Sequence, residues 1–403
     1  MQLYIHIPFC ISKCAYCDFF SRPVKNIGNT TVPDSYITAL CNEITFRLKD
    51  HKISSLETLY IGGGTPSMLS CEQIKKLFSE LRSNNVLSKS AEITVEVNPD
   101  DVSEPLLGCL NECGVNRISC GIQSMNDSAL KKACRRADSA ANEKAISLLG
   151  ELWKGELSVD LISGLPCDDE KKLRHSLEKV CSVNPEHISL YSLTFEDNTP
   201  FGKDLASGSL NYDYDEADKL WLFGRDFLES QGYDWYEVSN FCKPEKECRH
   251  NLGYWNHKDY IGCGSGATGT VYNKDGSGFR WTNTLNIEEY IDFWTSLPEE
   301  VPEVLPEALA SIPQVSEAVD VETSEFEFFM MGLRKVSGIS EADFIRTFAK
   351  PLPKNFLCVF EKWENKGLCQ RHVIENDSGV VNYRYSMSRS GILFLNRFLE
   401  ELC

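Results

Sequence analysis

Met1-Gln-Leu-Tyr-Ile-His-Ile-Pro-Phe-Cys10-Ile-Ser-Lys-Cys14-Ala-Tyr16-Cys17 opens the chain, and the rest of the sequence can be read outward from it. Leu3 to Ile7 is a short apolar strand that breaks at Pro8 and runs into cysteines at 10, 14 and 17. Iron–sulfur clusters are held by Cys thiolates, usually four to a cube of iron and sulfide. Three thiolates on a tight loop can hold three irons and leave the fourth for an outside molecule, as open catalytic metal sites keep a free position. The spacing therefore suggests a [4Fe–4S] cluster with one iron reserved for a ligand. Two blander readings compete. Zinc would want a fourth ligand, and His6 is the nearest candidate. The three could also be unliganded thiols in a Cys-rich chain. A disulfide framework is disfavoured, since no export signal precedes the cysteines.

The 403 residues allow two or three domains with a large core. Composition is that of an ordinary globular protein, 42% hydrophobic and 25% charged, and no apolar run approaches the roughly 20 residues of a membrane span. Seventeen cysteines scattered along the chain fit a reducing compartment, so a cytoplasmic protein is expected. Cys109, Cys120, Cys181 and Cys358 sit in apolar contexts, where Cys packs as a small hydrophobe. A net charge of −18 argues against a general nucleic-acid binder. That charge is uneven: from Trp281 to Leu333 there are twelve acidic residues and no Lys or Arg.

After the cysteine loop, Asp34 or Ser35 can cap a helix to about Asp50. Thr58 to Ile61 is a strand followed at once by Gly62-Gly-Gly-Thr65-Pro66, and Ser70 with Gln73 forms a capping box. Further strands run Ile93–Val97, Arg117–Ile122, Leu157–Ile162 and His187–Leu193, with helices Glu104–Glu112, Ala140–Trp153 and Asp169–Val183 between them. Strand–helix alternation repeated about six times argues for a parallel sheet with helices outside it. In each unit the polar or glycine signature falls at the C-terminal end of the strand, where parallel sheets and barrels place their ligands. Six units are too few for a closed eight-fold barrel. The expectation is an α/β fold with a partial (β/α)6 barrel over residues 1–200. Residues 201–297 extend it, 298–325 form an acidic, Pro-rich linker or insertion, and 326–403 form a small, mostly helical, winged-helix-like domain. In that last part helices are expected at Phe326–Lys335, Pro353–Lys366 and Ser390–Leu402, with a β-ribbon around Val380–Tyr385.

Gly62-Gly-Gly-Thr65 lets backbone approach a ligand closely, because glycine lacks a Cβ and tolerates positive φ; a tight turn alone would also use it. Glu96, Gln123, Arg135 and Asp160 stand at or just beyond successive strand ends and can converge on one cavity. Any one of them could equally be a surface or capping residue. His250 beside Tyr254-Trp255 suits an imidazole ligand to iron in a flat apolar group such as haem, against the alternative of a satisfied structural histidine. His51, His175, His257 and His372 show no partner pattern.

Cys10-x3-Cys14-x2-Cys17 with an aromatic before the last Cys is the signature of the radical S-adenosylmethionine superfamily. Tyr4-Ile-His-Ile-Pro-Phe-Cys10, Gly62-Gly-Gly-Thr-Pro66, Gly121-Ile-Gln-Ser124, Asp160-Leu-Ile-Ser-Gly-Leu-Pro166, Tyr191-Ser-Leu-Thr-Phe-Glu196 and Tyr236-Glu-Val-Ser-Asn240 resemble the oxygen-independent coproporphyrinogen oxidase group over nearly the whole chain. The true oxidase has an N-terminal arm and a further Cys two residues past the triad; here Asp18-Phe19-Phe20 follow it. His250-Asn251-x-x-Tyr254-Trp255 instead resembles the haem-binding motif of the group's haem chaperone branch, HemW.

The resemblance implies that Cys10, Cys14 and Cys17 bind [4Fe–4S]. It implies that Tyr4, Tyr16, Gly63, Gly64, Thr65, Glu96, Gln123, Arg135 and Asp160 surround S-adenosylmethionine, and that His250 ligates haem. Cys134-Arg135-Arg136-Ala137 stands where the group has Gly-Arg-x-His, so the family arginine is Arg135 or Arg136, and Thr268 stands where a His is expected. The implied partners are haem, haem-accepting apoproteins with membrane-bound ones among them, and an electron donor such as a flavodoxin or ferredoxin. Contact with a membrane would be peripheral. The alternative function is an enzyme, coproporphyrinogen III oxidation or another radical reaction on a tetrapyrrole.

Overall fold

The computed structural model of the protein describes residues 1–24, 32–298, 312–375 and 381–402. Its spine is six parallel strands lying side by side in chain order: β1 (Gln2–Ile7), β2 (Leu56–Gly63), β3 (Leu87–Val97), β4 (Arg117–Gln123), β5 (Glu156–Ser163) and β6 (His187–Ser192). Their middles are covered on both faces, which is why Leu3, Ile5, Leu59, Val95, Ile118, Val159 and Ile188 read as near-continuous apolar runs. Helices Asp34–Asp50, Cys71–Ser83, Glu104–Cys113, Ser139–Leu152 and Glu170–Cys181 make the crossovers.

Local capping chemistry sets most of these helix starts. The Ser70–Gln73 capping box forms in both directions, and Asp138, Asp169 and Asp213 each accept a backbone N–H at N3. The first helix differs from expectation. Pro33 takes the cap position without a side-chain bond, and Asp34 instead accepts from Gln73 Nε2 at 2.8 Å.

The sheet continues beyond the six strands at both edges. Tyr260–Cys263 adds in parallel outside β1, and Thr268–Tyr272, Gly278–Asn283 and Gln314–Val319 follow antiparallel. At the far edge Asn240–Cys242 runs antiparallel to β6 and pairs with Asp234–Glu237. Among the described residues, twelve strands thus form one sheet.

The part expected to be an acidic, Pro-rich linker or insertion over 298–325 contains secondary structure. Its residues 299–311 lie outside the described residues, but Gln314–Val319 is a strand and Asp320 caps the helix Val321–Gly332. Four of that strand's six residues are exposed, Val315 among them at 77%. An edge strand held by backbone bonds, with only Val319 buried, leaves no period-two pattern in the sequence.

Past Gly332, a three-stranded sheet of Ile339–Ser340, Val381–Met387 and Cys369–Glu375 packs with helices Glu341–Phe348, Lys354–Glu364 and Leu395–Glu400. The expected ribbon falls here, with Val380 itself outside the described residues. Phenylalanines fill the interior: Phe329 stacks on Phe356 at 4.4 Å between ring centres and on Phe344 at 5.4 Å. Among the described residues, no helix is long and apolar enough to cross a membrane.

Candidate functional site

A cavity of about 930 Å³ opens at the C-terminal ends of the parallel strands. That is near the top of the roughly 300–1,000 Å³ range of small-molecule sites, and it lies where parallel sheets place ligands. Cys10, Cys14, Cys17, Tyr16, Gly63, Gly64, Thr65, Glu96, Gln123, Arg135 and Asp160 all line it.

The cysteine loop is fixed at three points. Its entry, Phe9–Cys10, pairs in parallel with Arg22–Pro23, with Arg22 N donating to Pro8 O at 2.7 Å and Val24 N to Cys10 O at 2.7 Å. Its middle is gripped at Ala15, which donates to Ala133 O and accepts from Phe201 N, both at 2.9 Å. Ala15 lies buried with Ala129, Ala133, Ile162 and Phe201 in a small second core. Deleting the Phe201 ring should cost about 3–5 kcal/mol and loosen that grip. Phe201→Ala is expected to lose iron to a chelator faster than wild type, followed as the decay of visible absorbance; equal rates would remove Ala15 as a clamp.

Cys10, Cys14 and Cys17 share the cavity wall. Among the described residues, no three His, Cys, Asp or Glu side chains are placed to hold one metal ion. Thiolates that each take their own iron of a cluster need not meet at one point. Thr65 Oγ1 donates to Cys10 Sγ and Arg135 Nη1 to Cys14 Sγ, each at 3.5 Å. Both donors favour thiolate sulfur. Burial, first among its causes, holds the Cys17 thiol up at about 11, so metal loading there must displace a proton.

Gly63 and Gly64 are required by close approach. Gly63 has φ +110°, and a Cβ there would lie 2.5 Å from the His6 ring; one at Gly64 would lie 2.6 Å from Phe9 O. Gly63 N donates to Glu96 Oε2 at 3.1 Å and Tyr60 OH to Oε1 at 2.9 Å. Burial raises the Glu96 carboxyl to about 7, with nearby Asp160 adding to the shift. Asp160 itself is raised by burial, while Ser119 Oγ donates to it at 2.9 Å. Two buried carboxyls facing a cavity suit an ammonium group.

The Glu96 shift has a pH consequence. The folded chain keeps its proton above the pH where the unfolded one loses it, so stability is fully present below about 4.3 and falls as pH rises through about 7. Glu96→Gln removes this dependence. The gap between variant and wild-type stability should widen in the variant's favour by of order 2 kcal/mol from pH 5 to 8, read by urea denaturation. A constant gap contradicts the assignment.

Gln123 takes φ +67°, and pairing with β5 slips between Gly121 and Gln123. Such a bulge re-aims a side chain at a strand end. Of the two candidate arginines, Arg135 occupies the site: Nη2 donates to Asn98 Oδ1 at 2.9 Å and Gly121 O at 2.6 Å, and its buried Nε has no partner. Arg136 also lines the cavity but is paired with Asp100 and Asp101.

Two expected residues are not brought into the cavity. Tyr4 donates to His6 Nδ1 at 2.9 Å and stacks beside Tyr60, while His6 Nε2 donates to Phe20 O at 2.8 Å. His250 lies at the other end of the strands, 1% exposed. Its Nδ1 bonds Thr58 Oγ1 at 2.8 Å and its Nε2 bonds Tyr254 OH at 3.0 Å. Its backbone N–H donates to Glu92 Oε1 at 2.9 Å, and its carbonyl accepts from Gln2 Nε2 at 2.7 Å. Burial, with Arg117 nearby, drives the ring down to about 3. With both nitrogens engaged and no exposed edge, His250 does not fit as a haem ligand in this structure. The helix Arg249–Trp255 acts there as a floor beneath β1, β2 and β3.

Several lining residues were not singled out from sequence. Asn98 and Tyr191 sit at strand ends, as the expected ones do, and the same rule would have found them, whereas Ser119 lies inside β4. Arg334, Leu393 and Phe394 come from beyond the sheet and carry no sequence signal of their own.

Residues 4–180 match the family described as the radical SAM superfamily. The chain is 34% identical to the haem chaperone HemW of Bacillus subtilis (strain 168) over 99% of each chain. It is 33% identical to the haem chaperone HemW of Escherichia coli (strain K12), covering 99% of this chain and 97% of that one. The solved structure of coproporphyrinogen III oxidase (HemN) from Escherichia coli, a radical SAM enzyme, superposes with a TM-score of 0.77 at 19% identity, covering 100% of this chain and 89% of that one. That likeness establishes the shared fold, a radical-SAM barrel followed by a smaller C-terminal domain.

Proposed function

The chain belongs to the radical SAM superfamily and, within it, to the HemW haem chaperones, and from that premise we propose that it binds haem and delivers it to acceptor apoproteins. The observation that supports this most is one cavity holding the three cysteines, the glycine turn and the strand-end polar residues together. Cys10, Cys14 and Cys17 would hold a [4Fe–4S] cluster. Gly63, Gly64, Thr65, Tyr16, Glu96, Gln123, Arg135 and Asp160 would surround S-adenosylmethionine. When bound, the cluster supplies an open iron and an electron for S-adenosylmethionine.

The chain's own part is placement. Glu96 and Asp160 offer acceptors for an amine, Arg135 and the backbone at Gly63–Thr65 offer donors for a carboxylate, and Thr65 and Arg135 orient two thiolates. Tyr4 backs Tyr60 from behind the wall. A flavodoxin or ferredoxin is the class of electron donor, and acceptors on membranes would be met peripherally.

Two features favour this over porphyrinogen oxidation: Phe19, two residues beyond the triad, where the oxidase has a further Cys, and the HemW kinship over the full length. Anaerobic titration with haem, followed in the Soret band, is expected to saturate. A porphyrin product from coproporphyrinogen III under reduction, with no haem uptake, would instead establish the enzyme.

A further inference from the structure

Four cations line the cavity: Lys13, Arg135, Arg136 and Arg334. Lys13 donates to Phe19 O at 3.1 Å, Arg135 has three acceptors, and Arg136 is paired with two aspartates. Arg334 differs. Among the described residues, its side chain makes no hydrogen bond or ion pair, and its guanidinium lies 5.7 Å from the centre of the Trp255 ring. A half-buried, unpaired guanidinium is costly, and a fork of N–H donors matches a carboxylate.

Its surroundings narrow the kind of carboxylate. Val238, Leu393 and Phe394 line the cavity with it, and Leu393 and Phe394 are 48% and 49% exposed. Ile11, Phe19 and Tyr191, also exposed, line the same cavity. The wall also carries the exposed carboxylates Asp18, Glu196 and Asp218, so its apolar side chains and its one spare cation suit a flat apolar ring whose carboxylates are met at Arg334. We propose that Arg334 receives a propionate of haem, held in place by Trp255, while the apolar side chains cover part of the macrocycle; this rests on the haem-binding reading above.

The floor helix then gains a role. His250 anchors the start of Arg249–Trp255, and Trp255 at its end presents a ring face to the guanidinium. Burial lowers the Arg334 pKa and Glu237 partly offsets this, as expected of a cation lacking a close counter-ion.

The test uses the full chain, reconstituted anaerobically and titrated with haem, with haem dimethyl ester (whose propionates are esterified) and with S-adenosylmethionine. Arg334→Gln should weaken haem about tenfold or more, a charge-assisted bond being lost. It should leave the ester and S-adenosylmethionine affinities unchanged, and wild type should bind the ester as weakly as the variant binds haem. Arg334→Lys should recover part of the loss. Haem affinity unchanged in Arg334→Gln overturns the proposal and leaves the haem reading standing. Equal losses for haem and ester, or a loss for S-adenosylmethionine, also overturn it by giving Arg334 another role. A wild-type chain that binds neither tetrapyrrole overturns the functional reading itself.

Discussion

Cys14→Ser is expected to lose nearly all cluster iron and the broad visible absorption that goes with it, while remaining folded. Cys14 is partly exposed and sits on a loop whose backbone is tied down at Pro8, Cys10 and Ala15. Removing its sulfur opens no core cavity. Against cluster-free wild type, stability should therefore change by no more than about 0.5 kcal/mol, as for substitutions away from the core. The chemical loss is large, since a hydroxyl is a poor substitute for a thiolate on an iron–sulfur cluster. The Arg135 guanidinium 3.5 Å from Cys14 Sγ would also lose its thiolate partner. Iron content, the visible spectrum and a urea titration on one preparation check all of this. A spectrum like that of wild type would remove Cys14 from the ligand set.

His250→Ala is expected to show the reverse pattern, large in stability and small in haem chemistry. The substitution strands Thr58 Oγ1 and Tyr254 OH, both bonded to the ring in a buried setting, and leaves a void beneath Tyr60, whose ring stacks 5.1 Å from the imidazole. Together these should cost about 2–4 kcal/mol. The pH profile offers a second readout. The folded ring stays neutral down to about 3, while the unfolded one gains its proton near 6.5. The folded state then binds fewer protons, so wild-type stability falls as pH drops below about 6.5, and the variant should lose less over that range. The Soret position of bound haem should be unchanged, with affinity reduced less than about tenfold. A shifted Soret band with unaltered stability would restore His250 as the iron ligand.

The contrast between these two residues shows what the sequence makes legible. The cysteines, the glycine turn, Glu96, Gln123, Arg135 and Asp160 were readable because a parallel sheet forces strand ends together, and strand–helix alternation reveals the sheet. His250 belongs to a short helix whose position depends on Gln2, Thr58 and Glu92, far away in sequence. Its aromatic neighbours suggest a haem pocket equally well whether the ring is open or buried. Gln123 was legible as a residue but its left-handed backbone was not, since nothing in Gly121-Ile-Gln-Ser124 shows which way the bulge turns. The edge strand Gln314–Val319 was hidden because only its last residue is buried. Arg334 was hidden because Trp255 and Val238 meet it, and Leu393 and Phe394 share its cavity, only in the folded chain.

Haem handover bears most directly on what this protein does. The reconstituted chain is loaded with haem, freed of excess by gel filtration and mixed with a haem-free acceptor protein while the Soret band is followed. A saturable haem complex that passes its haem to the acceptor is the predicted result. A chain that takes up no haem, yet forms porphyrin from coproporphyrinogen III with S-adenosylmethionine and a reductant, would contradict it.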